Sequence, residues 1–439
     1  MGDARDEYMA LRRKAFVDDQ GLFDRDDHDD RDDDPATIVL VAREPGGAVV
    51  GGVRLFPHDR GRDLAWWRGS RLVCHPRLRQ RRREIGAPLV RAACAVAESE
   101  GALRFDAFVQ PPRERFFARL GWRRVREVQE AERPHILMRW PIERIGALAS
   151  SSKHPIGAVL GDLRPGGAGW VGDDGAPVPG TGVVAAVDAI LPSMVERDPE
   201  WAGWCGMLVA ANDLAAMGAT RSGALDALAA RDVGHARRVV DGLRCGAEAF
   251  GMPLLGGHTQ LGVPAALSVT GVGAAAEPIP GGGGRPGDAV SLTADVAGAW
   301  RTGYTASQWD STSGRDSAEI AAMLDGVRRA RPRAAKDVSM AGIAGTLGML
   351  AEASGCGAEL RVADVQRPPA ARLADWLTCF PGYAMLTVDA PGAPPLPAGP
   401  AVGAACGRLV DGGGVTLVWP DDERITVIAG VTTGLGVAA

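Results

Sequence analysis

Near residue 145 the chain changes its composition, and that break constrains how many cores it can build. Before it Arg and Asp dominate, and after it come Gly, Ala and Pro; between them Ser150-Ser151-Ser152-Lys153-His154-Pro155 suits a linker or a mobile arm. A chain of 439 residues, 46% hydrophobic, has material for two or three cores. A second boundary is expected around Ala294 to Arg315, after the turn signal Pro286-Gly287-Asp288 and the apolar run Ala289 to Thr293. The expected units are residues 1–143, a connecting arm over 144–165, residues 166–296 and residues 297–439. Strands alternate with helices in each: Ile38 to Ala42 and Val49 to Phe56 read as strands, and Ala87 to Ser99 as a helix closed by Gly101.

A formal net charge of -5 gives no reason to expect nucleic acid, which is bound by an excess of positive charge. The seven cysteines form no CxxC pair and no Cys/His cluster, so neither a disulfide framework nor a structural zinc site is indicated. No uncharged apolar stretch is long enough for a bilayer, and the start Met1-Gly2-Asp3-Ala4-Arg5-Asp6-Glu7 lacks the form of a signal peptide. A cytoplasmic protein without a membrane partner is the expectation.

Arg71-Leu72-Val73-Cys74-His75-Pro76 reads as a strand that runs into a basic turn and then a helix. Backbone N–H groups at a helix start carry partial positive charge, and Arg79, Arg81, Arg82 and Arg83 add bidentate donors, so the turn can hold a pyrophosphate. The other reading is a solvated arginine cluster before a core helix with Leu89, Ala93, Val96 and Ala97 at helical spacing. Over roughly its first 140 residues, a domain-sized span, the chain resembles GNAT-type N-acyltransferases of the nitrogen-starvation acetyltransferase type. Tyr8 to Gln20 looks like that family's first helix and turn, and Leu72 to Pro76 like the central strand whose backbone lines the acyl-CoA arm. Arg81 to Gly86 is similar to its pyrophosphate loop, and Phe116-Phe117-Ala118-Arg119-Leu120-Gly121-Trp122 to its late helix and glycine turn. The resemblance implies acetyl-CoA, or another acyl-CoA, held by Val73, Cys74, Arg79, Arg81, Arg82, Arg83, Gly86 and Ala87. It also implies attack of an amine on the thioester while strand N–H groups stabilise the oxyanion. Two positions depart from the family: Glu84 replaces a loop glycine, and Phe117 stands where many members carry the tyrosine that protonates the departing thiolate.

The run Asp24-Arg25-Asp26-Asp27-His28-Asp29-Asp30-Arg31-Asp32-Asp33-Asp34 is expected to be a solvated loop. A second reading is attraction of a cationic acceptor, since the matching region of the family borders the acceptor cleft. Calcium is a third, weakened by the lack of the glycine and terminal glutamate of a known calcium loop.

Further on, Val171-Gly172-Asp173-Asp174-Gly175 sets adjacent carboxylates after a glycine, and the strand Val183 to Asp188 ends in another. A helix carrying Trp201, Trp204, Leu208 and Ala211 leads into Asn212-Asp213-Leu214-Ala215-Ala216-Met217-Gly218, and a helix from Val233 to Phe250 feeds Gly256-Gly257-His258-Thr259. Oxygen side chains at strand and helix ends suit hard cations bound to a triphosphate, although single aspartates there are usually caps. In this order, and followed by Pro286-Gly287-Asp288 and Lys336-Asp337-Val338-Ser339-Met340-Ala341-Gly342, the motifs resemble one superfamily. Its members are aminoimidazole ribonucleotide (AIR) synthetase, selenophosphate synthetase, thiamine-monophosphate kinase and the hydrogenase maturation dehydratase. Within it the chain is most similar to the AIR-synthase-related proteins found with nitrilase and radical enzymes in nitrogen-starvation clusters.

The resemblance implies an α/β and α+β multidomain chain. After the GNAT fold comes an α+β domain whose strands pair with a second copy into a dimeric barrel, then an α/β domain closing over ATP. It implies Asp174, Asp188 and Asp213 as Mg2+ ligands, Asp173 and Asp337 in support of metal or phosphates with Asp337 in a catalytic role, and Gly256 and Gly257 along the phosphate path. Lys153 sits in the arm that covers nucleotide in some relatives, or is a solvated linker lysine. His258 is a substrate contact or general base, or a plain hydrogen-bonded histidine. The expected function is sequential: N-acylation of a small-molecule amine, then phosphoryl activation of an amide oxygen leading to ring closure or amidine formation. Dehydration of a carboxamide to a nitrile, or a CoA- and nucleotide-binding regulator without turnover, are the alternatives.

Overall fold

The structure, a computed structural model, describes residues 2–438, with the side chains of residues 2, 3 and 79–83 outside the described set. Two compact units result: Met1–Arg144 with Arg372–Ala374, and Ile145–Ala371 with Asp375–Ala439. In the first, α1 (Gly2–Arg13) and a π-helical turn (Lys14–Asp19) precede β1 (Ile38–Arg43), β2 (Val49–Pro57), β3 (Trp66–Cys74) and α2 (Arg82–Ser99). Then come β4 (Arg104–Val109), α3 (Glu114–Arg119), β5 (Arg123–Glu130) and β6 (Arg133–Trp140). The six strands order as β1-β2-β3-β4-β6-β5, antiparallel throughout except between β3 and β4.

Leu89, Val90, Ala93 and Ala97 of α2 recur at helical spacing and bury against Val53, Leu55, Phe105 and Ala107. Tyr8 and Leu11 of α1 cover Val49 and Val73. Two adjacent glycines let both helices close on β2. A Cβ on Gly51 would stand 2.9 Å from Ile85 of α2, and one on Gly52 2.5 Å from the Tyr8 ring. Successive strand residues face opposite sides, so the helices lie on opposite faces of the sheet.

The second unit opens with α4 (Arg144–Ser152) and α5 (Pro155–Leu160). The segment expected as a linker or arm is thus helical in part, because Ile145 and Ala149 share one face and are buried. Next are β7 (Ala176–Pro177), β8 (Val183–Ile190), α6 (Pro192–Arg197), α7 (Pro199–Ala216), β9 (Thr220–Ala230), α8 (Val233–Phe250), β10 (Leu254–Leu261) and β11 (Ala266–Ala274). Their strands order as β10-β9-β11-β8-β7, with α7 packed on β8 and β11 and also against α8. Helix α8 ends at Gly251 in the left-handed conformation, φ 61°, as its glycine stop predicts.

The remainder comprises β12 (Ala289–Ala294), β13 (Ala299–Trp300), β14 (Trp309–Asp310), α9 (Ser317–Leu324), α10 (Gly326–Ala330), β15 (Ala334–Asp337), α11 (Gly342–Ala353) and β16 (Gly357–Arg361). It ends with α12 (Leu373–Thr378), β17 (Ala384–Asp389), β18 (Val402–Val410), β19 (Val415–Val418) and β20 (Arg424–Ile428). Seven of these strands form a sheet in the order β15-β17-β12-β18-β16-β19-β20. The boundary expected at 296 is corrected here: β12 does not close the middle unit but lies inside this sheet between β17 and β18. Residues 290–294 are all buried, which an interior strand covered on both faces requires. One core cluster joins Leu208 and Leu214 of α7 to Ile320, Val327 and Met385, so the second unit is continuous. The architecture is multidomain, mixing α/β and α+β layers.

Candidate functional site

Four chain segments bring carboxylates together in the second unit. Val184, Ala186, Asp188 and Ile190 alternate along β8 on the face packed beneath α7, which places Asp188 at the rim of that layer. Asp213 lies in the last turn of α7, Asp337 ends β15, and Asp174 sits in the turn before β7. Carboxylate oxygens of Asp174, Asp213 and Asp337 all lie within 4.8 Å of one another. Asp188 lies close enough to Asp213 for each carboxyl to act on the other.

Asp174 is held from two sides. Lys336 Nζ donates to its Oδ1 at 2.6 Å and to the Gly172 carbonyl at 2.9 Å, and the Asp337 backbone N–H donates to Oδ2 at 3.0 Å. Asp173 turns toward the glycine run 281–284, where the Gly281 N–H donates to its Oδ2 at 2.9 Å. Its Oδ1 is buried without a hydrogen-bond partner among the described residues. Neighbouring Asn212 anchors α7 by donating to the Gly382 carbonyl at 2.8 Å.

The electrostatics of this cluster are unbalanced. Burial holds the Asp213 carboxyl well above the usual carboxylate range, and the charges of Asp337, Asp188 and Asp174 push it further. Burial does the same to Asp337, reinforced by Asp174 and Asp188 and opposed by Lys336 and Lys153. Asp188 is raised by burial, opposed by Asp213 and the charge of Lys153. Asp173 is pushed up to about 6 by burial, opposed by Lys336 and the Gly281 N–H. Burial works against the Lys336 ammonium, but Asp174 and Asp173 outweigh it and raise its pKa. Of Asp173, Asp174, Asp188, Asp213 and Asp337, only Asp174 has an ion pair among the described residues, with Lys336. An all-oxygen donor set with surplus negative charge fits a hard divalent cation such as Mg2+.

The expected residues distribute unevenly about this centre. Asp174 and Asp213 meet there together with Asp337, and Asp188 lies beside Asp213. Lys153 follows α4, is partly buried, and exerts its charge on Asp188 and Asp337. Gly256, Gly257 and His258 do not join the centre within one chain: they lie exposed on the edge strand β10. The register runs Gly257, Asp226, Val269, Asp188 across four strands, so this row spans roughly 14 Å at ordinary strand spacing. The double glycine extends the edge strand instead of forming a loop over a ligand. Asp226 leans over it, since a Cβ on Gly257 would stand 2.2 Å from Asp226 Oδ1.

Lys336 and Gly281 received no role from the sequence. The signal for Lys336 was a long cation in the apolar strand Ala334-Ala335, where burial demands a carboxylate partner. For Gly281 it was the run of four glycines at 281–284: a Cβ on Gly281 would stand 2.4 Å from Asp173 Oδ1 and 3.2 Å from Lys336 Cε.

The first unit carries a second centre. Strands β3 and β4 pair only from Trp66↔Arg104 to Gly69↔Ala107 and then part, although β3 runs on to Cys74 and β4 to Val109. β3 stays paired with β2 to its end, so its backbone groups beyond Gly69 face a gap on the β4 side. A bulge at Arg71, φ 54°, turns the strand there, and the Tyr8 hydroxyl donates to the Arg71 carbonyl at 2.8 Å. Val73 is buried and Cys74 half-buried, its sulfur toward Gly86.

Gly86 and Ala87 lie a turn inside α2 rather than in the loop, and the unpaired N–H groups of the helix start precede them. The side chains of Arg79, Arg81, Arg82 and Arg83 lie outside the described residues. Glu84 is exposed on the first turn of α2. Phe117 is 9% exposed and meets Phe116 and Trp122 edge-on at 5.4 and 5.5 Å; it is a packing residue with no proton to give.

The acidic run is solvated only in part. Asp27 and Asp32 are buried, and Arg12 pairs with them at 2.7 and 2.5 Å. Arg54 pairs with Asp29 at 2.5 Å and Asp32 at 2.7 Å, and Arg71 with Asp27 at 3.1 Å. Burial works to raise the Asp32 and Asp29 carboxyls, but the arginines beside them win and hold both below the usual range.

No helix among the described residues is long and apolar enough to cross a membrane. Residues 172–275 match the AIR synthase related protein N-terminal domain, 285–427 the AIR synthase related protein C-terminal domain, and 4–122 the acetyltransferase (GNAT) family. An uncharacterized protein of Synechocystis sp. is 32% identical over 224 residues, which cover 49% of this chain and 69% of that protein. An uncharacterized protein of Methanocaldococcus jannaschii is 32% identical over 192 residues, 42% of this chain and 58% of that one. The solved phosphoribosylformylglycinamidine synthase II of Thermotoga maritima shares the fold at 15% identity, TM-score 0.52, over 68% of this chain and 53% of its own. From its ordered carboxylates, its paired sheets and these matches, the chain belongs to the AIR-synthase-related proteins and carries a GNAT-family domain in the same polypeptide.

Proposed function

We propose that the chain is a bifunctional enzyme whose first unit acylates a small-molecule amine from acetyl-CoA or another acyl-CoA. Its second unit uses ATP and Mg2+ to activate an amide-type oxygen, leading to cyclisation or amidine formation. One observation carries the reading: Asp174, Asp213 and Asp337 converge within 4.8 Å with too little positive charge to balance them. Mg2+ held by these residues supplies charge neutralisation at phosphate oxygens. A protein of the same fold, Thermotoga maritima PurL, has been solved with ATP.

Each side chain then has a task. Lys336 and the Asp337 N–H orient Asp174, while the charge of Asp188 disfavours ionisation of Asp213 until a cation is bound. Gly281, at the head of the glycine run 281–284, leaves room for the Asp173 carboxylate and the Lys336 stem and donates its N–H to Asp173. In the first unit the amine nitrogen attacks the thioester carbonyl carbon. The C–N bond forms as the C–S bond breaks, and the departing thiolate takes up the proton that nitrogen loses. β3 N–H groups facing the gap stabilise the oxyanion.

A homodimer accords with the second unit's sheet. Val187 is 64% and Leu225 41% exposed on the outer face, and the edge strand β10 exposes Leu255 and Leu261. A second copy covers this surface, and His258 and the Gly256-Gly257 backbone act in that assembly, in a cytoplasmic enzyme. The test is incubation of candidate amines with acetyl-CoA, ATP and Mg2+, with products read by mass. Acylated and then cyclised or amidine products are expected. A nitrile would replace the second step by dehydration, and intact amide with neither ADP nor AMP formed would overturn it.

A further inference from the structure

We propose that the first unit selects amine acceptors that carry a carboxylate, and that Arg68 binds that carboxylate. The proposal rests on the acyl-transfer reading above and names its substrate class. Arg68 of β3 lies in register with Asp106 of β4, one row before the strands part at Gly69↔Ala107. Phe108, two residues beyond Asp106, shares the Arg68 face. The Arg68 guanidinium carbon stands 3.8 Å from the centre of the Phe108 ring. The side chain therefore leans past the last paired row, toward the gap where the thioester arm and the amine must meet.

The arginines around it are all engaged. Arg54 holds Asp29 and Asp32, Arg71 holds Asp27 and Asp29, and Arg104 and Arg139 share Asp106. Asp106, the carboxylate in register with Arg68, is thus already committed. The Arg68 side chain forms neither a hydrogen bond nor an ion pair with the described residues; Glu130, at the end of β5, and Asp106 act on it only through their charge, opposed by the charges of Arg31 and Arg104. A half-buried guanidinium stacked on an aromatic ring keeps its planar fork of donors, which matches a carboxylate in two-point contact. Burial of that cation is the main force on it and lowers its pKa, a cost that an anionic ligand offsets.

The test uses the full chain with acetyl-CoA and matched sets of amino acid, amino-acid amide and decarboxylated amine. Amino acids are expected to show kcat/KM about 10-fold or more above their amides, the scale of one charge-assisted contact. Arg68→Met should abolish that preference through KM while leaving the amides within about twofold, and Arg68→Lys should retain part of it. Calorimetry of the same compounds in the presence of CoA reads the preference without turnover. Equal handling of acids and amides by the native chain, or an unchanged preference in both variants, overturns the role of Arg68. Absence of both CoA binding and transfer, with amino acids still bound through Arg68, would instead remove the acyl-transfer reading.

Discussion

Two clusters of aspartates in this chain have opposite electrostatic fates. In the first unit Asp27, Asp29 and Asp32 meet Arg12, Arg54 and Arg71, and the carboxyls that shift are held low. In the second, Asp188, Asp213 and Asp337 are raised, and Lys336 pairs only with Asp174. A balanced buried cluster is part of the scaffold, whereas an unbalanced one tolerates its own repulsion because a ligand relieves it. Acidic density alone therefore does not identify a cation site; what the arginines leave uncompensated does.

The largest expected effect breaks the balanced cluster. Asp32→Ala leaves Arg12 and Arg54 short of a buried partner and should cost about 3–5 kcal/mol in urea unfolding of the first unit. Asp213→Asn in buffer without divalent cations should cost nothing or raise the melting temperature, since it removes a buried carboxyl whose ionisation its neighbours oppose. If both substitutions destabilise alike, the contrast between the clusters is wrong.

Next in size, Asp174→Asn and Asp213→Asn should each lower Mg2+-dependent ATP turnover about 100-fold while acyl transfer continues. In the native chain Mg2+ at about 100 times its dissociation constant should stabilise the second unit by about 2.7 kcal/mol, reversed by chelation. No Mg2+ shift in the native chain, or a shift retained in both variants, counts against the cation site.

The smallest effect is acid sensitivity. Asp29 and Asp32 have folded values below their unfolded ones, so as pH falls the unfolded chain takes up protons first. Their stabilisation is complete above the ordinary aspartate value of 3.8 and is lost as pH drops through the folded values. The first unit should lose about 5 °C in melting temperature between pH 5 and 3, and Asp32→Asn should flatten that slope. A native slope no steeper than that of the variant would contradict the pairing.

Local rules made much of the molecule legible before any packing was known. The stop of α8 at Gly251 and the strands over residues 38–43 and 49–57 follow from propensity and caps, and Asp174 and Asp213 were singled out by the family resemblance of their motifs. The buried acidic network was hidden because Asp27 and Asp32 resemble solvated residues until Arg12 and Arg54 arrive from other elements. The place of β12 was hidden too, since a short apolar run does not say which sheet receives it.

By itself the sequence determined the order of elements, the family's motifs and the residue types able to hold phosphate and cation. Only the tertiary structure decided which carboxylates converge. It brings Lys336 to Asp174 across 162 residues, sets Asp337 beside Asp174 and Asp213, and leaves His258 on an edge strand. The physical reason is range: caps, turns and periodicity act over a few residues, whereas the sign and surplus of a buried charge cluster depend on every segment that packs against it.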